Sequence, residues 1–236
     1  MLFQIAGLMV SMNPKYEPLK TQAIPYLIEY QSSFVDCSIP QGEEVIKRYQ
    51  NKHPELTTGE SEYLLYGAYF YDSLLDHQGI FLHASCIVYE NKAYLFSAPC
   101  GTGKSTHTQI WMKVFKNSLI LNDDKPALRC EDNQIVAYRT PFSGKTNQNK
   151  NEKYLIEGIA FIKRNSENKI TRLEANKAIP LLFSQTMPPY HEGRLNQMTK
   201  MVELIIKQIP IYELNCNMED EAALVAYQGM KRETYE

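Results

Sequence analysis

The chain lacks the cysteine pairs, long apolar runs and basic clusters that mark several common classes of protein. Its five cysteines are scattered, odd in number and never spaced as Cys-x-x-Cys. This pattern argues against a disulfide framework or a zinc site and favours reduced thiols in a cytoplasm. The apolar amino terminus is short, has no basic leader and no small-residue cleavage site, and no stretch approaches the length that a bilayer requires. We therefore expect a soluble, cytoplasmic protein without a membrane span.

An excess of charge of one sign is also missing. The sequence holds 25 Lys and Arg against 27 Asp and Glu, which gives a net charge of -2. Such a chain has no electrostatic attraction for nucleic acid or an anionic membrane, so neither is expected as a partner. No internal repeat or low-complexity linker divides the 236 residues, which suffice for one sizeable domain. We expect a single domain over residues 1–236, and association of identical chains is left open.

One stretch stands out against this ordinary composition. Ala93 to Thr106 reads AYLFSAPCGTGKST, and apolar residues at helical spacing follow it as far as Phe115. An apolar strand, a small-residue loop, GK[ST] and a helix form the order of a phosphate-binding loop. Gly101 and Gly103 let several backbone N–H groups point at one anion, and the helix adds its positive N-terminal end. The predicted nucleotide-binding residues are Cys100, Gly101, Thr102, Gly103, Lys104, Ser105 and Thr106.

Two side chains of this loop have chemical roles in the prediction. Lys104 supplies a positive charge for the β and γ phosphates of ATP, and the Ser105 hydroxyl supplies a ligand for Mg²⁺. The common pattern has glycine where this chain has Ala98. Alanine is tolerated there if the backbone keeps a negative φ. An accidental glycine-rich turn is the alternative, and the flanking strand and helix favour the phosphate-binding interpretation.

Paired carboxylates follow the next apolar run. Residues 119–121 run through Asn122 into Asp123 and Asp124, at the position of a Walker-B-type acid beside the loop. One carboxylate would hold Mg²⁺, and its neighbour would accept a proton from the acceptor hydroxyl. A solvated turn is the alternative, and the loop upstream favours the functional interpretation. His83, alone on an apolar strand, is by itself more typical of a core histidine.

Hydrophobic periodicity predicts the surrounding elements. Strands are expected at Leu2–Met12 and Ile80–Tyr89, and a short strand at 158–162. Helices are expected at Ser61–Leu75 and Leu195–Gln208. The apolar face expected for the first of these helices consists of Tyr63, Leu64, Ala68, Tyr71 and Leu75.

The order HASCIV…YLFSAPCGTGKSTHT…LNDDKPALR resembles the kinase domain of HPr kinase/phosphorylase, which shares a P-loop fold with ATP-dependent phosphoenolpyruvate carboxykinase. The similarity is strongest from about Gly79 to Lys145. It implies an α/β P-loop kinase with a mixed central sheet flanked by helices, using ATP and Mg²⁺. It also implies catalytic or metal-binding roles for His83, Lys104, Ser105, Asp123 and Asp124, with the two aspartates dividing metal binding and general-base duty.

The resemblance has limits within this chain. Residues 1–78 look like an integrated N-terminal extension of unknown role rather than the separate domain of the full enzyme, and the C-terminal signature for phosphorolysis has no counterpart. Short HPr-kinase-like proteins carry a segment similar to RTPFSGKT, which here spans 139–146. That similarity implies substrate or γ-phosphate contacts for Arg139, Ser143 and Lys145. A solvated loop is the alternative for each of the three.

Taken together, these features predict an ATP-dependent phosphotransferase, serine kinase-like, that acts on a hydroxyl. The expected acceptor is a serine of a peptide or protein, with a small-molecule hydroxyl as an alternative. A carboxykinase-like lyase and a nucleotide-binding sensor module without transferase activity are the other readings. The paired acids beside an intact GKST motif speak against the sensor module.

Overall fold

The computed structural model describes residues 1–29, 34–99, 101–143, 151–189 and 192–232. Cys100 and Lys145, two of the predicted site residues, therefore lie outside the described residues. The described strands are β1 (Leu2–Ile5), β2 (Leu8–Ser11), β3 (Cys37–Ser38), β4 (Gly79–Phe81), β5 (Ala84–Tyr89), β6 (Lys92–Ser97), β7 (Leu119–Asn122), β8 (Ala127–Glu131), β9 (Gln134–Tyr138), β10 (Lys153–Arg164), β11 (Lys169–Arg172) and β12 (Ile211–Cys216). The α-helices are α1 (Leu19–Ala23), α2 (Glu43–Lys52), α3 (Thr58–Leu74), α4 (Lys104–Val114), α5 (Ala175–Ser184), α6 (Leu195–Gln208) and α7 (Glu221–Met230).

A mixed sheet forms the centre of the molecule, as expected for the α/β class. Its strands follow the order β4-β8-β9-β10-β6-β5-β7, and β12 joins β10 with β11 beyond it. Strand β10 pairs in parallel with β6 and β12, whereas its pairing with β9 is antiparallel. Residues 153–155 of β10 pair with β9 and residues 159–164 pair with β12, so the sheet forks along this strand.

The sheet also curls back on itself. β4 leads into β5 through Leu82 and His83, and β7 leads into β8 through residues 123–126. β4 pairs with β8, and β5 pairs with β7. At the junction the N–H of Leu82 donates to the Pro126 carbonyl (3.4 Å) and the N–H of Ala84 donates to the Asp124 carbonyl (3.1 Å). The two long segments thus form one bent antiparallel ladder, with His83 at its bend.

Helices cover both faces of the central sheet. Alternate residues of β6 point to opposite faces, as the period of a strand requires. Ala93 and Leu95 belong to the core under α5 and α6, whereas Tyr94 and Phe96 belong to the core under α4 and α7. This arrangement confirms the expectation of a mixed sheet flanked by helices. No helix in the described ranges has the length and apolarity needed to cross a membrane.

Residues 1–78 add a small sheet and the long helix α3. Strands β1, β2 and β3 form this sheet, and its buried residues share one core with α3. The same core includes residues from the large sheet and the segments beside it: Phe81, Ala127, Val136, Tyr138 and Phe142. The extension is therefore packed against the rest of the chain, while its description as one domain with residues 79–236 stays a prediction.

Four predictions about elements need correction. The predicted strand Leu2–Met12 is a hairpin, because Ala6 (φ 49°) and Gly7 (φ 77°) turn the chain. The predicted strand Ile80–Tyr89 is interrupted at the bend, and the strand predicted at 158–162 extends over Lys153–Arg164. The predicted face of α3 is confirmed for Tyr71 and Leu75, which are buried, and wrong for Tyr63, Leu64 and Ala68, which are only half-buried. The helix also buries Leu65, Tyr66, Phe70 and Leu74.

Candidate functional site

The sheet brings several predicted site residues to one edge. β6 and β7 are both antiparallel to β5, so they run parallel to each other and end at the same edge. The glycine-containing loop follows β6, the paired acids follow β7, and His83 directly precedes β5. Ser97, the last residue of β6, donates from its Oγ to the His83 carbonyl (2.8 Å). The loop, the histidine and the acids therefore lie around one edge of the sheet.

The loop between β6 and α4 needs glycine at two positions. Gly101 has φ +76° and Gly103 has φ +118°, in the left-handed region that favours glycine. A Cβ added at either position would meet nothing within 4 Å. Backbone conformation, rather than crowding, thus requires glycine here, and the space in front of the loop stays open. An open turn that leads into a helix N-terminus is a suitable cradle for phosphate.

The first turn of α4 presents the predicted phosphate and metal ligands. Lys104 donates from its Nζ to the Ala98 carbonyl at 2.6 Å, which holds its ammonium group over the loop. Ser105 and Thr106 are exposed at the start of the helix. These are the positions from which a lysine would reach phosphate oxygens and a hydroxyl would reach a metal ion.

An arginine that sequence reasoning missed supports the loop from the neighbouring strand. Arg164 ends β10, which runs parallel to β6 and therefore ends at the same edge. Its guanidinium donates to the Thr102 carbonyl (3.0 Å) and to the Gly101 carbonyl. Nothing in the local sequence signals this contact, because residues 164 and 102 meet only through the pairing of their strands.

Asn122 shapes the turn that carries the acids. Its buried side-chain oxygen accepts the backbone N–H groups of Asp124 (3.0 Å) and Lys125 (2.8 Å). Its amide nitrogen donates to Thr140 Oγ1 at 3.2 Å. An asparagine that bonds its own backbone two residues on is a common turn former. This side chain fixes the direction of the acid pair and was not among the predicted site residues.

Asp124 lies between two basic side chains. His83 Nε2 is 3.3 Å from Asp124 Oδ1, and Lys125 Nζ is 2.9 Å from Asp124 Oδ2. Burial raises the pKa of Asp124, but the hydrogen bond with His83 and the charge of Lys125 outweigh it and bring the pKa to about 2. Asp124 is therefore a carboxylate at neutral pH. His83 is held from its other side by Gln185, whose Oε1 lies 3.2 Å from Nδ1 and whose carbonyl accepts the His83 N–H at 2.7 Å.

Asp123 is half-buried at the same turn. Its carbonyl accepts a hydrogen bond from Ser85 Oγ (3.2 Å), which ties the turn to β5. Within the described ranges, no group of three His, Cys, Asp or Glu side chains could hold a metal ion. Mg²⁺ needs fewer protein ligands, because it keeps several waters and uses one or two carboxylates with substrate phosphates. Ser105 and the two acids are a donor set of that kind.

Arg139 and Ser143 lie in the interior of the protein rather than in an open loop. Both are buried, at 3% and 1% exposure. The Arg139 guanidinium donates to the Ile120 carbonyl, and the Ser143 carbonyl accepts from Gln22 Nε2 at 3.2 Å. The alternative of a solvated loop is wrong for these two residues. Their role in substrate or γ-phosphate contacts stays a prediction, as do those of Lys145 and Cys100.

Two cavities flank the loop. One, of about 480 Å³, runs from Pro99 to Gln185 between the loop and α5. The other, of about 460 Å³, lies between α4 and the ends of β10 and β12, and its lining includes Thr106, His107 and Arg164. Volumes of 300–1,000 Å³ are typical of small-molecule and cofactor sites. Each cavity is thus large enough for a nucleoside next to the loop.

Comparisons with known proteins give distant structural likenesses and no sequence match. No family model matches the chain, and no curated protein matches it. A solved structure similar to it is that of the Hpr(Ser) kinase/phosphatase from Coxiella burnetii, at 13% identity over 62% of this chain and 91% of that chain, with a TM-score of 0.36. A TM-score of this size is too low to transfer fold or activity between the two chains.

Proposed function

We propose that the protein is an ATP-dependent kinase that transfers the γ-phosphoryl group of ATP to a hydroxyl, with a serine of a peptide or protein as the favoured acceptor. The observation that supports this most is the meeting of two groups at one sheet edge. The glycine loop with Lys104 and Ser105 follows β6, and Asp123 with Asp124 follows the parallel strand β7. Phosphoryl transfer needs a phosphate-binding loop, metal ligands and a carboxylate that orients the acceptor hydroxyl, all in one place.

The loop and the first turn of α4 would bind the triphosphate. Left-handed glycines leave the loop open, and the helix N-terminus offers N–H groups and a partial positive charge. When the triphosphate binds, the Lys104 ammonium would leave the Ala98 carbonyl and donate to phosphate oxygens instead. The move is short, because Ala98 belongs to the same loop. Mg²⁺, when bound, neutralises charge on the transferred group.

The surroundings of the two acids divide their roles. The Lys125 ammonium at 2.9 Å from Asp124 would compete with a metal ion for that carboxylate. We therefore assign metal binding to Asp123 with Ser105, and the acceptor hydroxyl to Asp124. A carboxylate accepts several hydrogen bonds, so Asp124 can orient the hydroxyl while still bonded to His83 and Lys125. With a pKa of about 2 it is a weak base, which suits a loose transition state that depends mainly on positioning.

The direct test is transfer of labelled phosphate from ATP to serine-containing peptides and proteins. Lys104→Met and Asp124→Asn should each lower kcat/KM by about 10²- to 10⁴-fold, as expected for loss of a charge-stabilising or proton-handling group. Lys113→Met is the matched control, because Lys113 lies on the same helix but is exposed and paired with Asp220. It should stay within about twofold of the wild type.

The outcomes separate the alternatives. Wild-type-like transfer by Lys104→Met would contradict the kinase proposal, and wild-type-like transfer by Asp124→Asn would contradict the role of that acid. Phosphorylation of free serine without any peptide product would move the acceptor to the small-molecule class. ATP binding with no turnover would leave a nucleotide sensor.

A further inference from the structure

A small aromatic pocket lies beside the acid turn, between α3 and the segments that follow β4 and β7. It has a volume of about 160 Å³. Most of its walls are apolar or aromatic, and Tyr63 and Lys125 bring polar atoms to it. The lining residues are Tyr49, Tyr63, Leu64, Gly67, Ala68, Tyr71, Phe81, Lys125, Phe142 and Met187.

Lys125 links the aromatic pocket to the candidate site. The Lys125 ammonium lies 2.9 Å from Asp124 Oδ2 and 6.0 Å from the centre of the Tyr63 ring. The Tyr71 hydroxyl donates to the Lys125 carbonyl at 2.6 Å. One residue therefore forms a wall of the pocket and also contacts the acid that would orient the acceptor hydroxyl. A group in the pocket and a hydroxyl at Asp124 are close enough to belong to one short peptide.

The size and chemistry of the pocket limit what it can hold. An apolar protein cavity of about 150 Å³ is known to bind benzene. The aromatic pocket is of that size, so it fits a phenyl-sized group and is too small for a nucleoside. The Tyr63 hydroxyl is buried and has no hydrogen-bond partner among the described residues. Burial, with repulsion from Asp124 and Asp123, raises the pKa of Tyr63, so the hydroxyl keeps its proton as a donor.

We infer that the aromatic pocket binds a phenyl-sized apolar side chain of the acceptor peptide, within about two residues of the phosphorylated serine. Its place beside an acceptor rests on the proposed kinase function, whereas binding in the pocket does not. Successive side chains of an extended peptide are about 3.3 Å apart along the chain, which sets this short range. The inference gives residues 1–78 a role, because α3 supplies five of the lining residues: Tyr63, Leu64, Gly67, Ala68 and Tyr71.

Binding is tested first without any enzymatic reaction. N-acetyl-phenylalanine amide is titrated against the full chain and followed by NMR, with N-acetyl-alanine amide as the comparison ligand. The phenylalanine amide should bind and the alanine amide should not. Ala68→Leu, which fills the pocket from a half-buried helical position, should weaken binding at least tenfold. Ala175→Leu, the same change at an exposed position of α5, should leave it unchanged.

Specificity is then measured with serine peptides that carry Phe or Ala at each position within two residues of the serine. Burial of one large apolar side chain should raise kcat/KM about 10- to 100-fold at one or more positions. Ala68→Leu should erase this difference, while Ala175→Leu should keep it. Leu64→Phe, at another half-buried position of the wall, is the second pocket-filling variant in case Ala68→Leu does not fold.

Failure of the inference is distinguishable from failure of the proposed function. No binding of the phenylalanine amide to the wild type, or binding that both pocket-filling variants retain, overturns the pocket assignment. Equal transfer to Phe and Ala peptides at every position overturns it as well. Binding of the amide that the variants abolish, with no transfer to any peptide, supports the pocket and contradicts the kinase.

Discussion

The hydrogen bond of the buried side chain His107 depends on the protonation state of its ring. It follows the predicted loop in α4 and is 3% exposed. Its Nε2 accepts the indole N–H of Trp111 at 3.0 Å. Indole nitrogen is a donor only, so Nε2 carries no proton, and the ring is neutral with its proton on Nδ1. Burial lowers the pKa of His107 to about 4.

This protonation state predicts a pH dependence of stability. The unfolded histidine binds a proton below about pH 6.5, whereas the folded one does so only below about 4. The contribution of His107 to the free energy of unfolding should therefore fall by roughly 3 kcal/mol as the pH drops from 6.5 towards 4. Above pH 6.5 this contribution should stay constant. His107→Gln should lose that part of the slope. Urea unfolding followed by far-UV circular dichroism at several pH values measures it.

The control for this prediction is His53→Gln. His53 is partly exposed beside Glu55, so its replacement should change the slope little. An identical pH slope in His107→Gln and wild type would contradict the assignment of the proton to Nδ1 of a neutral ring.

At the same scale, the sequence indicates the residues to which we assign chemistry in the proposed function, but not those that position them. Lys104, Ser105 and the acid pair are recognisable because their spacing along the chain is local. Gln185 and Arg164 could not be found in this way, since each meets its partner only after distant segments pair. Asn122 had a local signal, as an asparagine directly before two acids at the end of a strand. That pattern indicates a turn former rather than a chemical group, so it does not by itself mark Asn122 as a site residue.

Helix α3 is the element that links the extension to the candidate site. It begins with a capping box in which Thr57 Oγ1 accepts the Glu60 N–H (3.2 Å) and a Glu60 oxygen accepts the Thr57 N–H (2.8 Å). Both otherwise unsatisfied donors at the helix start are paired in this way. The pattern is visible in the sequence as Thr-x-x-Glu before an apolar run.

Thr57→Ala should destabilise the protein by about 1 kcal/mol, which is the usual cost of removing such a cap. α3 also lines the aromatic pocket. The change should nevertheless lower the free energy of unfolding before it weakens ligand binding by the folded protein. Thr199→Ala, at an exposed position inside α6, is the control and should change stability by less than about 0.5 kcal/mol. If both changes lower the free energy of unfolding equally, the capping box of Thr57 and Glu60 contributes no stability of its own.

Of all the elements, a helix whose apolar residues form one continuous stripe is predicted most accurately from the sequence. Leu195–Gln208 is confirmed at both ends as α6, whose buried residues include Met198, Met201, Val202 and Ile205. The face of α3 is predicted only in part, because this helix packs on the small sheet and the large sheet at once and no single stripe marks its buried side. Strand β10 was predicted too short, since its polar ends are held by pairing with β9 and β12.

On the scale of the whole molecule, the two sheets are joined by a shared core. Phe142, from the segment after β9, packs against Phe70 and Tyr71 of α3, with ring centres 5.7 Å apart in both cases. Arg194, at the start of α6, forms ion pairs with Asp72 in α3 and with Asp76 in the turn that follows α3. These contacts cross the boundary between residues 1–78 and the rest of the chain.

Such a core predicts one cooperative unfolding transition. The single tryptophan, Trp111, is fully buried and reports on the large sheet, whereas far-UV circular dichroism reports on all elements. The two signals should give the same urea midpoint. A fragment of residues 79–236 should be unstable, because it would expose Phe81, Val136 and Phe142. An early circular dichroism phase without a change in Trp111 fluorescence would indicate that the extension unfolds by itself.

The bent ladder of β4–β5 and β7–β8 sets the distance between two side chains of the candidate site. His83 lies on one of its segments and Asp124 on the other, and backbone hydrogen bonds at Leu82 and Ala84 fix how far one segment is shifted against the other. A slip of one residue would turn alternate side chains to the opposite face and separate the pair. Strand register therefore sets the distance between the imidazole and the carboxylate, so inserting or deleting one residue in either segment should separate them.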